Sequence, residues 1–311
     1  MAINEPADLA SMAYLTEYDS THGRFPGRVA VGKNRLLIDE QAIRVSHART
    51  PEEVDWRDID LLIECSGVYG HRNELERFLE AGCPRLLLSH PGFSAEDVDA
   101  TLICGVNPGA LSGNERLLSV GSCTTNAVVP VLSLIAQHFG VEQAQLTTLH
   151  SVMNDQPLID GYHHPDLRRT RSAMQSIIPV STGLSRGVER LLPELAGRVH
   201  AKAIRVPTLN VSAIDLNLIT REPVSVPVVN QVLQASAQGD LRGLLAYSEA
   251  AHASIDFNHD PHSAIIDASQ TRVSGGHLLN LFIWFDNEWG FANRLLDVAA
   301  HWLQREGRRE G

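Results

Sequence analysis

Along the first part of the chain, short apolar runs alternate with amphipathic stretches. Asp60-Leu61-Leu62-Ile63-Glu64-Cys65 reads as a buried strand and residues 74–81 as an amphipathic helix; Arg85-Leu86-Leu87-Leu88-Ser89, Thr101-Leu102-Ile103-Cys104 and Leu117-Leu118-Ser119-Val120 read as further strands. That rhythm predicts a parallel α/β sheet with crossover helices. A helix-length apolar segment begins at Ala127-Val128-Val129-Pro130-Val131-Leu132, and the pattern then changes. Residues 145–150, 203–206, 211–219, 263–267 and 278–285 are richer in β-branched and aromatic side chains and predict a largely antiparallel sheet. Between them, residues 154–180 are polar, rich in His and Arg, and interrupted by Pro157, Pro165 and Pro179, the pattern of a long structured loop. Residues 291–304 close the chain with the spacing of an amphipathic helix. At the other end, Met1-Ala2-Ile3-Asn4-Glu5 opens directly as an apolar strand ending in an acidic residue.

Composition narrows the class. A chain of 311 residues exceeds the usual size of a single core, so two domains are expected. With 43% hydrophobic and 20% charged residues, it has the make-up of an ordinary globular protein. Its four cysteines form no C-x-x-C pair and no disulfide framework, which fits a reducing, cytoplasmic compartment. No apolar run has the length of a membrane span. A formal net charge of −11 argues against a nucleic-acid-binding surface, but leaves room for a local basic pocket holding a phosphorylated small molecule.

The chemistry concentrates at Ser122-Cys123-Thr124-Thr125-Asn126. A strand precedes this run and a helix follows. The Cys123 sulfur therefore faces the unpaired N–H groups at the start of a helix, where the dipole favours a thiolate nucleophile. The alternative is a small residue filling space, the commoner role of a free cysteine. His150, ending an apolar, Thr-rich strand, is the candidate base, although a strand-end histidine is also at home as a structural or solvated residue. Arg168-Arg169-Thr170-Arg171 and Arg205 bring positive charge into an acidic chain, with Arg168 and Arg171 read as a solvated basic face. Ser181-Thr182-Gly183 offers hydroxyls and permissive backbone to a phosphate. Adjacent His163 and His164 point to opposite faces of an extended segment, so no metal is assigned. Glu5 has the position of an acidic residue that holds a dinucleotide's ribose, yet no G-x-G occurs in the chain, and alone it reads as surface.

These segments resemble, in order and spacing, the signature of the phosphorylating glyceraldehyde-3-phosphate dehydrogenase family. Besides the Cys123 run, the resemblance rests on Asp19-Ser20-Thr21-His22-Gly23-Arg24-Phe25, Ser66-Gly67-Val68-Tyr69, Thr147-Thr148-Leu149-His150-Ser151, Asp166-Leu167-Arg168-Arg169, Arg205-Val206-Pro207-Thr208 and Asp286-Asn287-Glu288-Trp289-Gly290. Within the family the chain looks most like the erythrose-4-phosphate dehydrogenases. It has Met153 where glyceraldehyde-phosphate enzymes commonly carry Thr, Glu5 for the usual Asp, and the runs Ser89-His90-Pro91-Gly92 and Asp256-Phe257-Asn258-His259-Asp260-Pro261-His262-Ser263.

The resemblance implies an NAD-binding Rossmann-type domain, residues 1–122 with 287–311, and an α+β catalytic domain, residues 123–286. It implies oxidation of D-erythrose 4-phosphate to 4-phosphoerythronate, a step toward pyridoxal phosphate, by a homotetramer. Cys123 forms a thiohemiacetal and then a thioester that water hydrolyses, with His150 as base. Ser122, Thr124, Arg169, Thr182, Gly183 and Arg205 hold the substrate. Asn287 binds the nicotinamide, and Glu5, Arg49, Ser66, Gly67 and Ser89 contact the rest of NAD. Two departures, Ser119-Val120-Gly121 before Ser122 and Ala127 in place of a second Cys, remove no catalytic group. The larger departure is the lack of the first strand, glycine loop and helix, a ~30-residue unit that delivers N–H groups to the pyrophosphate. The expectation is a natural start upstream of Met1, since losing this unit would expose inner strand edges and take away part of the NAD cradle. The competing readings are a phosphorylating glyceraldehyde-3-phosphate dehydrogenase, a catalytically silent interaction protein and a Cys–His esterase acting without NAD.

Overall fold

The computed structural model describes residues 1–162 and 166–307, in two compact units: residues 1–100 with 114–119, and residues 101–113 with 120–307. His163 and His164, considered above as metal ligands, lie outside the described residues.

The first unit holds two sheets. In one, β1 (Ala2–Asn4) runs parallel to β4 (Gln41–Ser46), which continues antiparallel through β3 (Arg35–Ile38) to β2 (Val29–Gly32). Alternation along β4 buries Ile43 and Val45 with Leu36, and these pack against Leu9 and Met12 of α1 (Leu9–Glu17). Asp8 caps α1 by accepting from the amides of Ala10 and Ser11, which locates the helix start. The other sheet carries β5 (Leu62–Glu64), β6 (Leu86–Leu88) and β7 (Leu117–Ser119) as parallel neighbours, as the apolar runs predicted. Every residue of β6 and β7 is buried, and α2 (Arg72–Glu80) inserts Leu75 and Phe78 against them.

In the second unit, α3 (Cys123–Phe139) is buried over most of its length, as the apolar run Ala127–Leu132 at its centre requires. It lies against an eight-stranded, largely antiparallel sheet. The strands are β8 (Val141–His150), β9 (Ile178–Val180), β10 (Val199–Arg205), β11 (Ser212–Thr220), β12 (Leu245–Ser248), β13 (Ala264–Asp267), β14 (Arg272–Ser274) and β15 (Leu278–Phe285). Their order is β9-β10-β8-β11-β15-β13-β12, with β14 on β15. Only the pairs β8–β10 and β12–β13 are parallel. Period-two alternation along β8 buries Ala144, Leu146, Thr148 and His150 on the face that carries the core. The terminal helix α5 (Trp289–Gly307) buries Val298 and Trp302 and packs on α3. It belongs to the second unit, whereas the resemblance implies that the segment from Asn287 onward joins the first domain.

Two segments depart from the sequence pattern. Thr101-Leu102-Ile103-Cys104 is not a strand beyond Thr101. The Asn107 side chain accepts from the Ile103 amide at 2.8 Å and donates to the Thr101 carbonyl at 2.8 Å, closing a turn that the apolar run alone would not form. The polar stretch from 154 to 180 contains two short 3₁₀ turns, Leu167–Thr170 and Ala173–Gln175, and ends in β9.

Candidate active site

Strand order and register assemble the site within the second unit. His150, the last residue of β8, pairs in parallel register with Arg205, the last residue of β10. On the other side of β8, Ser212 opens β11 and pairs with Phe285 at the end of β15, two residues before Asn287. Four neighbouring strands thus deliver Arg205, His150, Ser212 and Asn287 to one end of the sheet.

Cys123 reaches the same place from the helix. Gly121 takes φ +69°, a conformation that favours glycine, and turns the chain into α3. Ser122 caps the helix by accepting from the Thr125 amide at 3.1 Å, and its hydroxyl also lies 2.8 Å from that of Thr125. The buried Asn126 amide closes the turn, donating to the Val120 carbonyl at 2.8 Å and the Ser122 carbonyl at 2.9 Å. Cys123 Sγ is then 3.6 Å from His150 Nε2 and 3.9 Å from the Thr124 hydroxyl.

The electrostatics oppose each other. Burial pushes the Cys123 thiol up, against the downward pull of the Thr124 hydroxyl and amide and the Arg205 charge. Burial, and then the Arg205 guanidinium, push His150 down to about 4. The resting pair is therefore a thiol beside a neutral imidazole. The imidazole Nδ1 lies 2.9 Å from the Ser151 carbonyl and 2.6 Å from Arg205 Nη1. The first partner requires a proton on Nδ1 and leaves Nε2 free as a base. The second requires an Nδ1 lone pair and turns an Nε2–H toward the sulfur. Arg205 thus competes with Ser151 for the tautomer of His150.

Of the substrate candidates, Arg205 and Thr124 stand beside the Cys123–His150 pair. Arg169 is ion-paired with Asp155, and its charge, after burial, helps to depress the pKa of Arg205. Thr182 is exposed beyond β9, and Gly183 caps α4 (Leu184–Leu191). The Ser122 hydroxyl is committed to the helix cap. Arg171 pairs with Asp160 at 2.9 Å, as a solvated basic face would.

The remaining cofactor candidates form two groups in the first unit. Glu5 follows β1 and Arg49 follows β4, their strand ends tied by Asn4, which exchanges hydrogen bonds with the Ala48 backbone. Ser66, Gly67 and Ser89 follow the carboxyl ends of the adjacent parallel strands β5 and β6, where open α/β sheets bind ligands. There Ser66 donates to the buried Glu64, whose other oxygen is 3.7 Å from His90 Nε2. Sequence reasoning missed the structural parts of the site: Asn126, Ser151, Ser212 and Asp286. Ser151 carried one usable signal, its place directly after a strand-end histidine. Ser212 carried none.

A cysteine at a helix start facing a strand-end histidine, in a chain with a separate parallel α/β unit, defines a thiol-dependent enzyme of two-domain type. The comparisons agree. The NAD-binding domain of glyceraldehyde 3-phosphate dehydrogenase matches residues 1–72, and the C-terminal domain of the same enzyme matches residues 122–287. The chain belongs to the glyceraldehyde 3-phosphate dehydrogenase family, a family of NAD-dependent dehydrogenases. Among the described residues, no helix is long and apolar enough to cross a membrane.

Proposed function

We propose that the protein oxidises D-erythrose 4-phosphate to 4-phosphoerythronate with NAD, through a Cys123 thioester that water hydrolyses. The observation that carries this reading is the 3.6 Å approach of Cys123 Sγ to His150 Nε2 at the start of α3, with Arg205 alongside. When substrate phosphate draws Arg205 away, Nδ1–H of His150 donates to the Ser151 carbonyl and Nε2 takes the thiol proton. The sulfur bonds to the aldehyde carbon, and the proton passes to the new alkoxide, which the first-turn N–H of Cys123 stabilises. His150 removes that proton again as the thiohemiacetal carbon loses a hydride. Bound NAD supplies the acceptor for this hydride. His150 gives up that proton to solvent; the neutral imidazole then deprotonates water, the hydroxide adds to the thioester carbon, and the C–S bond breaks as His150 returns the proton to the departing thiolate.

The residues present fit NAD. Asn287 presents an amide nitrogen with no partner among the described residues, a donor suited to the nicotinamide carboxamide. Gly67, at φ +68°, has open space where a side chain would stand, so bare backbone faces an approaching ligand. Met153 is 44% exposed and offers a phosphate no hydroxyl, which supports erythrose 4-phosphate over the three-carbon substrate. Exposed Leu158, Ile159 and Ile177 support burial against further copies in a homotetramer. Four free thiols support a reducing cytoplasm, where the product would feed pyridoxal phosphate synthesis.

The test is NADH formation from erythrose 4-phosphate and from glyceraldehyde 3-phosphate, each with and without inorganic phosphate. The proposal expects phosphate-independent turnover favouring the four-carbon sugar, abolished in Cys123→Ala. A phosphate requirement with preference for glyceraldehyde 3-phosphate assigns the phosphorylating reaction instead. Ester cleavage without NAD assigns the esterase, and absence of both turnover and NAD binding the silent protein.

A further inference from the structure

Ser151 and Ser212 are the most deeply buried hydroxyls beside the site, at 0% and 1% exposure, and the chemistry above uses neither side chain. Both converge on one atom. Ser151 Oγ donates to Asn287 Oδ1 at 3.0 Å, and Ser212 Oγ donates to the same oxygen at 2.6 Å. Ser212 Oγ also accepts from the Ser151 amide at 3.1 Å, so one hydroxyl joins the end of β8 to Asn287. Both lone pairs of the Asn287 amide oxygen are then filled, and the amide plane is fixed with its NH₂ turned away from the serines. The backbone below is held too. The carboxylate of Asp286, buried at 1% exposure, accepts from the amides of His259, Glu288 and Trp289 at 2.8 to 3.0 Å.

We propose that Ser151 and Ser212 are positioning residues for nicotinamide: a two-hydroxyl clamp that orients the Asn287 amide as a hydrogen-bond donor to the carboxamide oxygen. This rests on the reading of Asn287 as the nicotinamide contact. Orienting the amide before binding removes the rotamer freedom that a free Asn would lose on meeting its ligand. Ser151 also ties the two halves of the chemistry together. In the tautomer that leaves Nε2 as the base, its carbonyl accepts from His150 Nδ1 while its hydroxyl holds Asn287, so base and nicotinamide contact share one residue.

The test compares the affinities of NAD and of ADP-ribose, which lacks the nicotinamide ring, by calorimetric titration of the full chain. Wild-type protein should bind NAD more tightly. Ser151→Ala and Ser212→Ala should each weaken NAD about two- to tenfold, the worth of one hydrogen bond, and leave ADP-ribose unchanged. Neither substitution should add to the loss in an Asn287→Ala background. Asn287→Asp keeps an oxygen for both hydroxyls and removes the N–H donor, so it should lose the preference for NAD with packing intact. Parallel weakening of both ligands by the serine variants would mean a general structural role and overturn the clamp. So would wild-type selectivity that survives in the serine variants or in Asn287→Asp. Wild-type protein that fails to distinguish the two ligands instead removes the nicotinamide reading itself.

Discussion

Replacing Arg205 by Gln removes a positive charge whose Nη1 lies 2.6 Å from His150 Nδ1, while keeping a polar, uncharged side chain. Burial is the larger cause of the depressed imidazole pKa and the guanidinium the second. Two unit charges ~4 Å apart interact by ~1 kcal/mol in bulk water and ~4 kcal/mol at an effective dielectric of ~20. A half-buried guanidinium falls between these limits, at ~2 kcal/mol, so its loss raises the proton affinity of His150 about 30-fold. The imidazole does not regain its ordinary value, because burial remains. The direct assay is NMR titration of the His150 ring. The wild-type midpoint is expected at about 4. It should rise in Arg205→Gln and stay low in Arg205→Lys, which retains the charge. The thiol moves too: Arg205 pulls Cys123 down, so the Gln variant should react more slowly with iodoacetamide at a given pH. Coincident His150 titrations in wild type and Arg205→Gln would refute the electrostatic account, as would a wild-type imidazole titrating near ~6.5.

Two further predictions concern what holds the fold around the sites. Asn126→Leu preserves bulk but deletes hydrogen bonds to the Val120 and Ser122 carbonyls, at about 1 kcal/mol each. Urea unfolding should show a loss of about 2 kcal/mol, and wild-type stability would count against the turn as described. In the first unit, the Glu64 carboxylate raises the pKa of His90 against the effect of burial. Burial raises Glu64, but His90 and Ser66 outweigh it and hold the carboxyl below its usual value. The His90 contribution is complete below its unfolded pKa and is lost as pH rises through the raised folded value. That of Glu64 is present above its unfolded pKa and is lost as pH falls through the lowered one. His90→Asn should therefore cost more stability at pH 6 than at pH 9 in thermal unfolding of the full chain, and a pH-independent difference would refute the pairing.

Much of this protein was legible along the chain because alternation and amphipathicity are local. The apolar runs locate β5, β6 and β15 to within a residue or two, and the continuous apolar face of α3 declares its burial. Cys123 was legible because a strand, a capping hydroxyl and a helix follow one another in sequence. The Thr101–Cys104 run misled because Asn107, several residues on, uses its side chain to close a turn that apolarity cannot announce. The meander of β2, β3 and β4 was less legible, because only Leu36, Ile43 and Val45 along it are buried.

By itself, the sequence determined the elements, the thiol at a helix start and the histidine at a strand end. Only the tertiary structure decided which side chains meet. Arg205 stands beside His150 because β8 and β10 pair in parallel, one register in which two distant strand ends coincide. Ser151 and Ser212, 61 residues apart, meet Asn287 because β8, β11 and β15 are neighbours. Register between distant strands comes from packing the whole sheet against α3. No local pattern encodes it, and on it depend both the tautomer of the base and the orientation of the Asn287 amide.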